Sequence, residues 1–108
     1  MPVGGNTSDA HSALVRLCID YLQVQGAWVY KVHGGLGSRP GVPDLLCCLR
    51  GRLIGLECKT GRARLSAAQL VEADDLRRAG ALALEIRRID DLEDALLDAG
   101  LIPHRRLD

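Results

Sequence analysis

Three charged residues stand at the outer ends of two apolar runs. Asp44 precedes Leu45-Leu46-Cys47-Cys48-Leu49, and Glu57 and Lys59 close the run that begins at Leu53. Apolar runs of this length, bounded by turn residues, read as buried strands. A carboxylate in such a strand is costly unless it is paired or holds a cation. With Arg50 and Gly51 as the two loop residues of a hairpin, Leu49 faces Arg52, and counting back pairs Asp44 with Glu57. Directly opposed residues have Cβ atoms about 5 Å apart on one face. Alternation puts Lys59 on that face too, while Leu56 and Cys58 point the other way. A three-residue turn or a bulge would shift this register by one. Two like charges so close share either a proton or a cation. Hard oxygen donors with positions left for water suit Mg²⁺ or Mn²⁺, which can stabilise phosphoryl charge and activate a water.

The rest of the chain must hold this hairpin. Thr7, Ser8 or Asp9 can cap a first helix, with Leu14, Leu17, Cys18, Tyr21 and Leu22 as its apolar stripe and Gly26 as its stop. Ala27 to His33 alternates as a first strand, with Trp28, Tyr30 and Val32 on one face and Val29, Lys31 and His33 on the other. Gly34 to Gly41 carries two readings: a flexible linker, or a mobile loop that folds Arg39 over a phosphate backbone. It matches neither the Walker loop nor G-x-G-x-x-G. Pro43 suits the start of the second strand. Thr60 to Leu65 is a basic loop containing Arg62 and Arg64. Ser66 and Gln69 form a capping box that opens a second helix, with Leu70, Val71 and Leu76 as its apolar side and Gly80 as its end. Ala81 to Ile86 reads as a fourth strand. Asp90 caps a third helix over Asp91 to Ala99, striped by Leu92, Ala95, Leu96 and Ala99. The lead Met1 to Asn6 and the tail Pro103 to Asp108 read as loosely held. The order α-β-β-β-α-β-α indicates an α/β domain, a small mixed sheet flanked by helices.

Composition sets the outer bounds. The chain has 108 residues, 47% hydrophobic and 26% charged, which fits one small globular domain with its core over about residues 8–100. No apolar run reaches membrane-spanning length. No basic segment followed by an apolar one opens the chain, so a cytoplasmic protein without a membrane partner is expected. The formal net charge of +0 gives no global basic field, but arginines cluster locally, and such patches can bind phosphates or simply face water. Only Lys31 and Lys59 are lysine among 14 basic residues, so position 59 calls for a compact, adjustable ammonium. Cys18, Cys47, Cys48 and Cys58 form no Cys-x-x-Cys pair and sit in apolar runs, as buried small hydrophobes do.

Gly41-Val42-Pro43-Asp44, then Leu56-Glu57-Cys58-Lys59, then Ser66-x-x-Gln69 resembles the virus-type replication-repair nuclease (VRR-Nuc) branch of the PD-(D/E)xK nucleases. The resemblance spans roughly residues 8 to 86, with three motifs in order on the expected strand, strand and helix. It implies a restriction-endonuclease-like core and metal-dependent hydrolysis of nucleic-acid phosphodiesters. It implies that Asp44, Glu57 and the main-chain carbonyl of Cys58 hold Mg²⁺ or Mn²⁺. Lys59 would orient or activate the attacking water and steady the scissile phosphate, and Gln69 would support the water or Lys59 from the second helix. Capping alone also accounts for Gln69. Family members often carry a glutamate early in the first helix. Here Asp9 or His11 replaces it, the place is vacant, or His11 is a plain surface histidine. Lys31, His33, Arg39, Arg62 and Arg64 are candidates for phosphate contact. For Lys31 and His33 the alternative is the wet face of a strand. Small members of this kind look like homodimeric endonucleases of branched DNA such as Holliday junctions. A flap or nicking nuclease, a non-catalytic nucleic-acid-binding module, and a structural Glu57–Lys59 ion pair are the alternatives.

Overall fold

The computed structural model describes residues 7–34 and 39–106. The lead through Asn6, the centre of the glycine-rich stretch and the last two residues lie outside the described residues. The elements are α1 (Thr7–Val24), β1 (Trp28–Lys31), β2 (Leu45–Leu49), β3 (Arg52–Cys58), α2 (Ala67–Arg78), β4 (Leu82–Ile86) and α3 (Ile89–Asp98). This is the order expected from the sequence, and it is a restriction-endonuclease-like α/β arrangement. The sheet order is β1-β2-β3-β4. The first two pairings are antiparallel and the third is parallel.

Local chemistry explains that topology. Arg50 and Gly51 take φ values of 50° and 80°, the left-handed pair that a two-residue hairpin turn requires. Leu49 therefore faces Arg52, and Leu45 faces Leu56, which is the predicted register. Parallel β3 and β4 need a crossover, and α2 supplies it. Leu45, Cys47, Leu49, Ile54, Leu56 and Cys58 point to one face and join Leu14, Val15, Cys18 and Leu22 of α1 and Leu92 and Leu96 of α3 in the core. Gly55 lies on the opposite face, where a Cβ would stand 2.9 Å from Leu76 of α2 and 2.9 Å from Pro43. Glycine here lets α2 and the Pro43 turn close over β3. Among the described residues no helix is long and apolar enough to cross a membrane.

Several expectations need correction. α1 already includes Thr7, so Thr7, Ser8 and Asp9 lie within its first turn rather than capping it. Leu17 is exposed and Val15 is buried in its place. At about 100° per residue, Leu14, Val15, Cys18 and Leu22 fill one arc and Leu17 falls outside it. Leu70 and Val71 are exposed, and α2 buries no residue fully. α2 lies instead over small residues, including Gly55 and Ala83, and is tied by Arg77 Nη2 donating to the Ala83 carbonyl at 2.8 Å. β1 is shorter than the predicted strand.

α3 starts at Ile89, and Asp91 rather than Asp90 satisfies its end, accepting from the Arg87 and Arg88 N–H groups at 2.9 and 3.1 Å. Leu101 and Ile102, just before the expected tail, are buried, and Pro103 to Arg106 are exposed but tied to α3 through Arg105 and Arg106. Glu93, only 2% exposed, accepts from the Arg106 N–H at 2.6 Å, Arg106 Nη1 at 3.0 Å and the Tyr21 hydroxyl at 3.3 Å. A buried carboxylate needs such partners, and the tail delivers them.

The cysteines behave as expected of small hydrophobes. Cys18, Cys47 and Cys58 are buried, Cys48 is half-buried, and all are reduced. Burial pushes the Cys47 thiol up to about 12, well away from reactive thiolate chemistry.

Candidate active site

The outer end of the β2–β3 hairpin is where the charged residues converge. Asp44 sits one residue before β2 and Glu57 one residue before the end of β3. The predicted opposition is realised by reciprocal hydrogen bonds between each carboxylate and the other strand's backbone. The Asp44 N–H donates to Glu57 Oε1 at 3.0 Å, and the Cys58 N–H donates to Asp44 Oδ2 at 2.9 Å. The Asp44 carbonyl in turn accepts from the Val32 N–H at 2.9 Å. One oxygen of each carboxylate is thus held by the main chain of the other strand.

Lys59 follows on the Glu57 face. Its N–H donates to the Ile86 carbonyl at 2.9 Å, fixing its backbone to β4. Its Nζ lies 3.7 Å from Glu57 Oε2. Gln69 makes the cap and also reaches the cluster. Its N–H donates to Ser66 Oγ and its Oε1 accepts from the Ser66 N–H, closing the capping box. Its Nε2 donates to Glu57 Oε2. The cap therefore aims the amide at the carboxylate, so the first turn of α2 orients Glu57.

His11 joins from α1. Its Nε2 lies 3.1 Å from Asp44 Oδ2, so of the two first-helix candidates it is seen to reach the cluster. A surface histidine with no bearing on the site is therefore the wrong description of it.

Electrostatics at the cluster follow from burial. Glu57 is 8% exposed. Desolvation, reinforced by the Asp44 charge, pushes its carboxyl above the usual range, against the pull of the Asp44 N–H, Lys59 and His11. A site that disfavours two adjacent anions is one that a divalent cation would relieve. Among the described residues no three His, Cys, Asp or Glu side chains gather as a metal site. A cation here would draw on the two carboxylates and main-chain oxygen, an all-oxygen set suited to Mg²⁺ or Mn²⁺.

The candidate phosphate-binding residues fall into two groups. His33 and Arg39 line a groove of about 460 Å³ that Asp44 also lines. Arg39 is also tied to Glu72 at 2.7 Å. Lys31 lies at the β1 position opposite Leu45. Arg62 and Arg64 line a second groove, of about 610 Å³, together with Arg87. A narrow cleft containing Glu57 and Gln69 shares Gly41 and Pro43 with the first groove and Leu65 and Glu85 with the second. The carboxylates therefore lie between two arginine-bearing grooves.

Two residues escaped sequence reasoning in their physical roles. Gly41 has φ +81°, and a Cβ there would stand 2.3 Å from the Ala68 carbonyl oxygen. Its lack of a side chain lets the segment leading to Asp44 press directly on the helix turn that carries Gln69. Arg87 donates to Glu85 and to the Gly61 and Ala63 carbonyls, folding the basic loop. Its place in an Arg-Arg pair was the available signal.

A solved structure described as a VRR_NUC domain superposes with a TM-score of 0.67, covering 82% of this chain and 95% of that one at 24% identity. The fold is that of a VRR-Nuc domain. A second solved structure, Hjc, a Holliday junction resolvase from Archaeoglobus fulgidus, superposes with a TM-score of 0.54 at 22% identity. That match covers 68% of this chain and 64% of the resolvase. No family model matches the sequence, and no curated protein does. On this VRR-Nuc fold the Asp44–Glu57 pair stands at the open end of the central hairpin, with α1 and α2 each contributing one polar side chain.

Proposed function

We propose that this protein is a metal-dependent, structure-specific endonuclease that hydrolyses DNA phosphodiester bonds in branched DNA such as a Holliday junction. The observation that carries the reading is the Asp44–Glu57–Lys59–Gln69 cluster. Two carboxylates locked to each other's backbone, with an ammonium 3.7 Å from one of them, form a costly arrangement with no evident structural benefit.

Asp44, Glu57 and the Cys58 carbonyl would hold Mg²⁺ or Mn²⁺. When bound, the cation neutralises phosphoryl charge and lowers the pKa of a water. Lys59, held to β4 through its backbone, places its ammonium beside Glu57, where it orients the attacking water and the scissile phosphate. Gln69 fixes the Glu57 rotamer, and His11 braces Asp44. Lys31, His33 and Arg39 in one direction, and Arg62 and Arg64 in the other, grip the backbone on the two sides of the cut. Such contacts position DNA without reading its sequence, so shape decides the substrate. A homodimer would present two such sites to a two-fold junction.

The test is cleavage of an end-labelled four-way junction beside a flap and a linear duplex, with Mg²⁺ and with chelator. Symmetric, metal-dependent cuts confined to the junction are expected. Cuts in the flap or duplex alone would replace the junction reading with that of a flap or nicking nuclease. No cuts in any of them would refute the enzyme.

A further inference from the structure

The chain has one tryptophan, two tyrosines and no phenylalanine. Apolar burial would claim such residues first, yet Trp28 is 63% exposed and Tyr30 48% exposed. Their ring centroids lie 6.2 Å apart with planes within 10° of parallel. Both stand on β1, an edge of the sheet, on the face opposite the core. Across the sheet from Trp28 come Cys48 and then Leu53, and Leu53 is exposed too. The row is apolar and uncharged. An open edge flanked by exposed aromatic rings invites another strand to pair with it.

The register fixes which groups that edge offers. The Val32 N–H donates to the carbonyl of Asp44, the residue opposite it when the β1–β2 register is continued. Alternation then turns the main-chain groups of Trp28 and Tyr30 toward β2 and those of Val29 and Lys31 outward. Among the described residues no strand lies beyond them. Val29 points its side chain to the core face and is still only half-buried, as an open edge requires.

An antiparallel copy of β1 fits these groups in one register. With Val29 opposite Lys31 of a second copy, and the reverse, each outward N–H meets an outward carbonyl. Tyr30 then lies opposite itself on the two-fold axis, in a pair whose Cα atoms are about 4.5 Å apart. The two tyrosine rings meet on the outer face, between the two tryptophans. Sliding the copies by two residues one way sets Lys31 directly against Lys31, which like charges disfavour. Sliding them the other way sets Lys31 against Ala27, whose N–H is already given to the Leu22 carbonyl. A slip of one residue would bring core faces against outer faces.

We propose that two copies of this chain dimerise edge to edge through β1, continuing the sheet across a two-fold axis at Tyr30. This rests on the nuclease reading for its purpose and supplies the interface of the homodimer in that reading. The axis is perpendicular to the sheet, so both Asp44–Glu57 clusters open on the same side. At about 3.4 Å per residue and about 4.8 Å per strand, the two Asp44 positions stand about 20 Å apart. One branched DNA then spans both sites.

The experiment uses the whole chain without DNA or metal. Sedimentation velocity over a concentration series is expected to show wild type passing from monomer to dimer. Tyr30→Arg sets two cations opposite each other at the axis and should weaken self-association at least about tenfold. Circular dichroism checks its fold. Tyr30→Cys, made in a Cys48→Ser chain, should form an interchain disulfide on mild oxidation with diamide, because the opposed Cα atoms stand within bridging range. Leu53→Cys in the same chain, exposed on the same face but two strands from the edge, should not. A wild type that stays monomeric at every concentration would overturn the interface. So would a dimer that folded Tyr30→Arg leaves intact, or one that Leu53→Cys cross-links as readily as Tyr30→Cys. The nuclease reading fails separately. A dimer through Tyr30 that cuts no DNA with Mg²⁺ or Mn²⁺ keeps the interface and loses the enzyme. A monomer that cuts loses the interface alone.

Discussion

Replacing Gly41 by alanine should damage the protein far more than the same change at other left-handed glycines. Gly41 has φ +81°, and its missing Cβ would meet the Ala68 oxygen at 2.3 Å, the Ala68 carbonyl carbon at 2.4 Å and the Gln69 nitrogen at 2.8 Å. Gly51 has a similar φ of +80° but nothing within 4 Å of a Cβ. The conformational cost, about 1–2 kcal/mol, is common to both. Gly41→Ala adds a clash with backbone that no rotamer change can relieve, about 1–3 kcal/mol for forcing extra volume into a packed contact. The expected total is about 3 kcal/mol for Gly41→Ala and about 1 kcal/mol for Gly51→Ala. For a domain of this size that corresponds to a melting-temperature drop of about 10–20 °C against about 4–8 °C. Differential scanning calorimetry of the two variants measures the difference directly. The shift also separates Asp44 from Gln69, so Gly41→Ala should lose cleavage at temperatures where it is still folded, while Gly51→Ala retains it. Equal melting temperatures for the two variants would refute the close packing of the Gly41 segment on α2.

Three further outcomes follow from the same geometry. Burial and the Asp44 charge raise the Glu57 carboxyl, so its contribution to metal-free stability is present below the ordinary glutamate range and is lost as pH rises through the raised value. Glu57→Gln should abolish cleavage yet melt higher than wild type at neutral pH in chelator, an advantage that disappears in acid. Glu93→Ala should cost about 3 kcal/mol in urea unfolding, at the low end for a broken buried pair because its arginine partners are half-exposed. Tyr21, pushed up to about 12 by burial and by Glu93, should titrate nearer its ordinary value in that variant, as read by ultraviolet absorbance. Arg62→Ala combined with Arg64→Ala should weaken DNA binding evenly across sequences and reduce the salt slope of log K by about 1–2.

The hairpin was legible because its determinants are local. A two-residue Arg50-Gly51 turn fixes the pairing, and the pairing fixes Asp44 against Glu57 and Lys59 beside them. Gln69 was legible as a cap from its spacing to Ser66. Its bond to Glu57 depends on where the crossover lays α2 on the sheet, which no local pattern encodes. His11 meets Asp44 across 33 positions of sequence for the same reason. Periodicity misplaced Leu17 because a run of apolar residues is wider than the arc a small sheet can cover. It misread Leu70 and Val71 because α2 closes on Gly55 and Ala83, leaving no depth to bury larger side chains. Glu93 and Arg106 look like surface charges in sequence, and only the fold of the tail across α3 shows that they satisfy one another. Gly41 stood in a motif, but its reason is a steric one that appears only when Ala68 is beside it.

The central claim is that Asp44, Glu57 and Lys59 hydrolyse DNA. Its most direct test is a single-turnover cleavage assay on a labelled four-way junction with wild type and Lys59→Ala, each with Mg²⁺ and with chelator, alongside junction binding measured in chelator. Metal-dependent cutting by wild type and none by Lys59→Ala are expected, with both proteins folded and binding the junction. Equal cutting by the two proteins, or no cutting by either while binding persists, would contradict it.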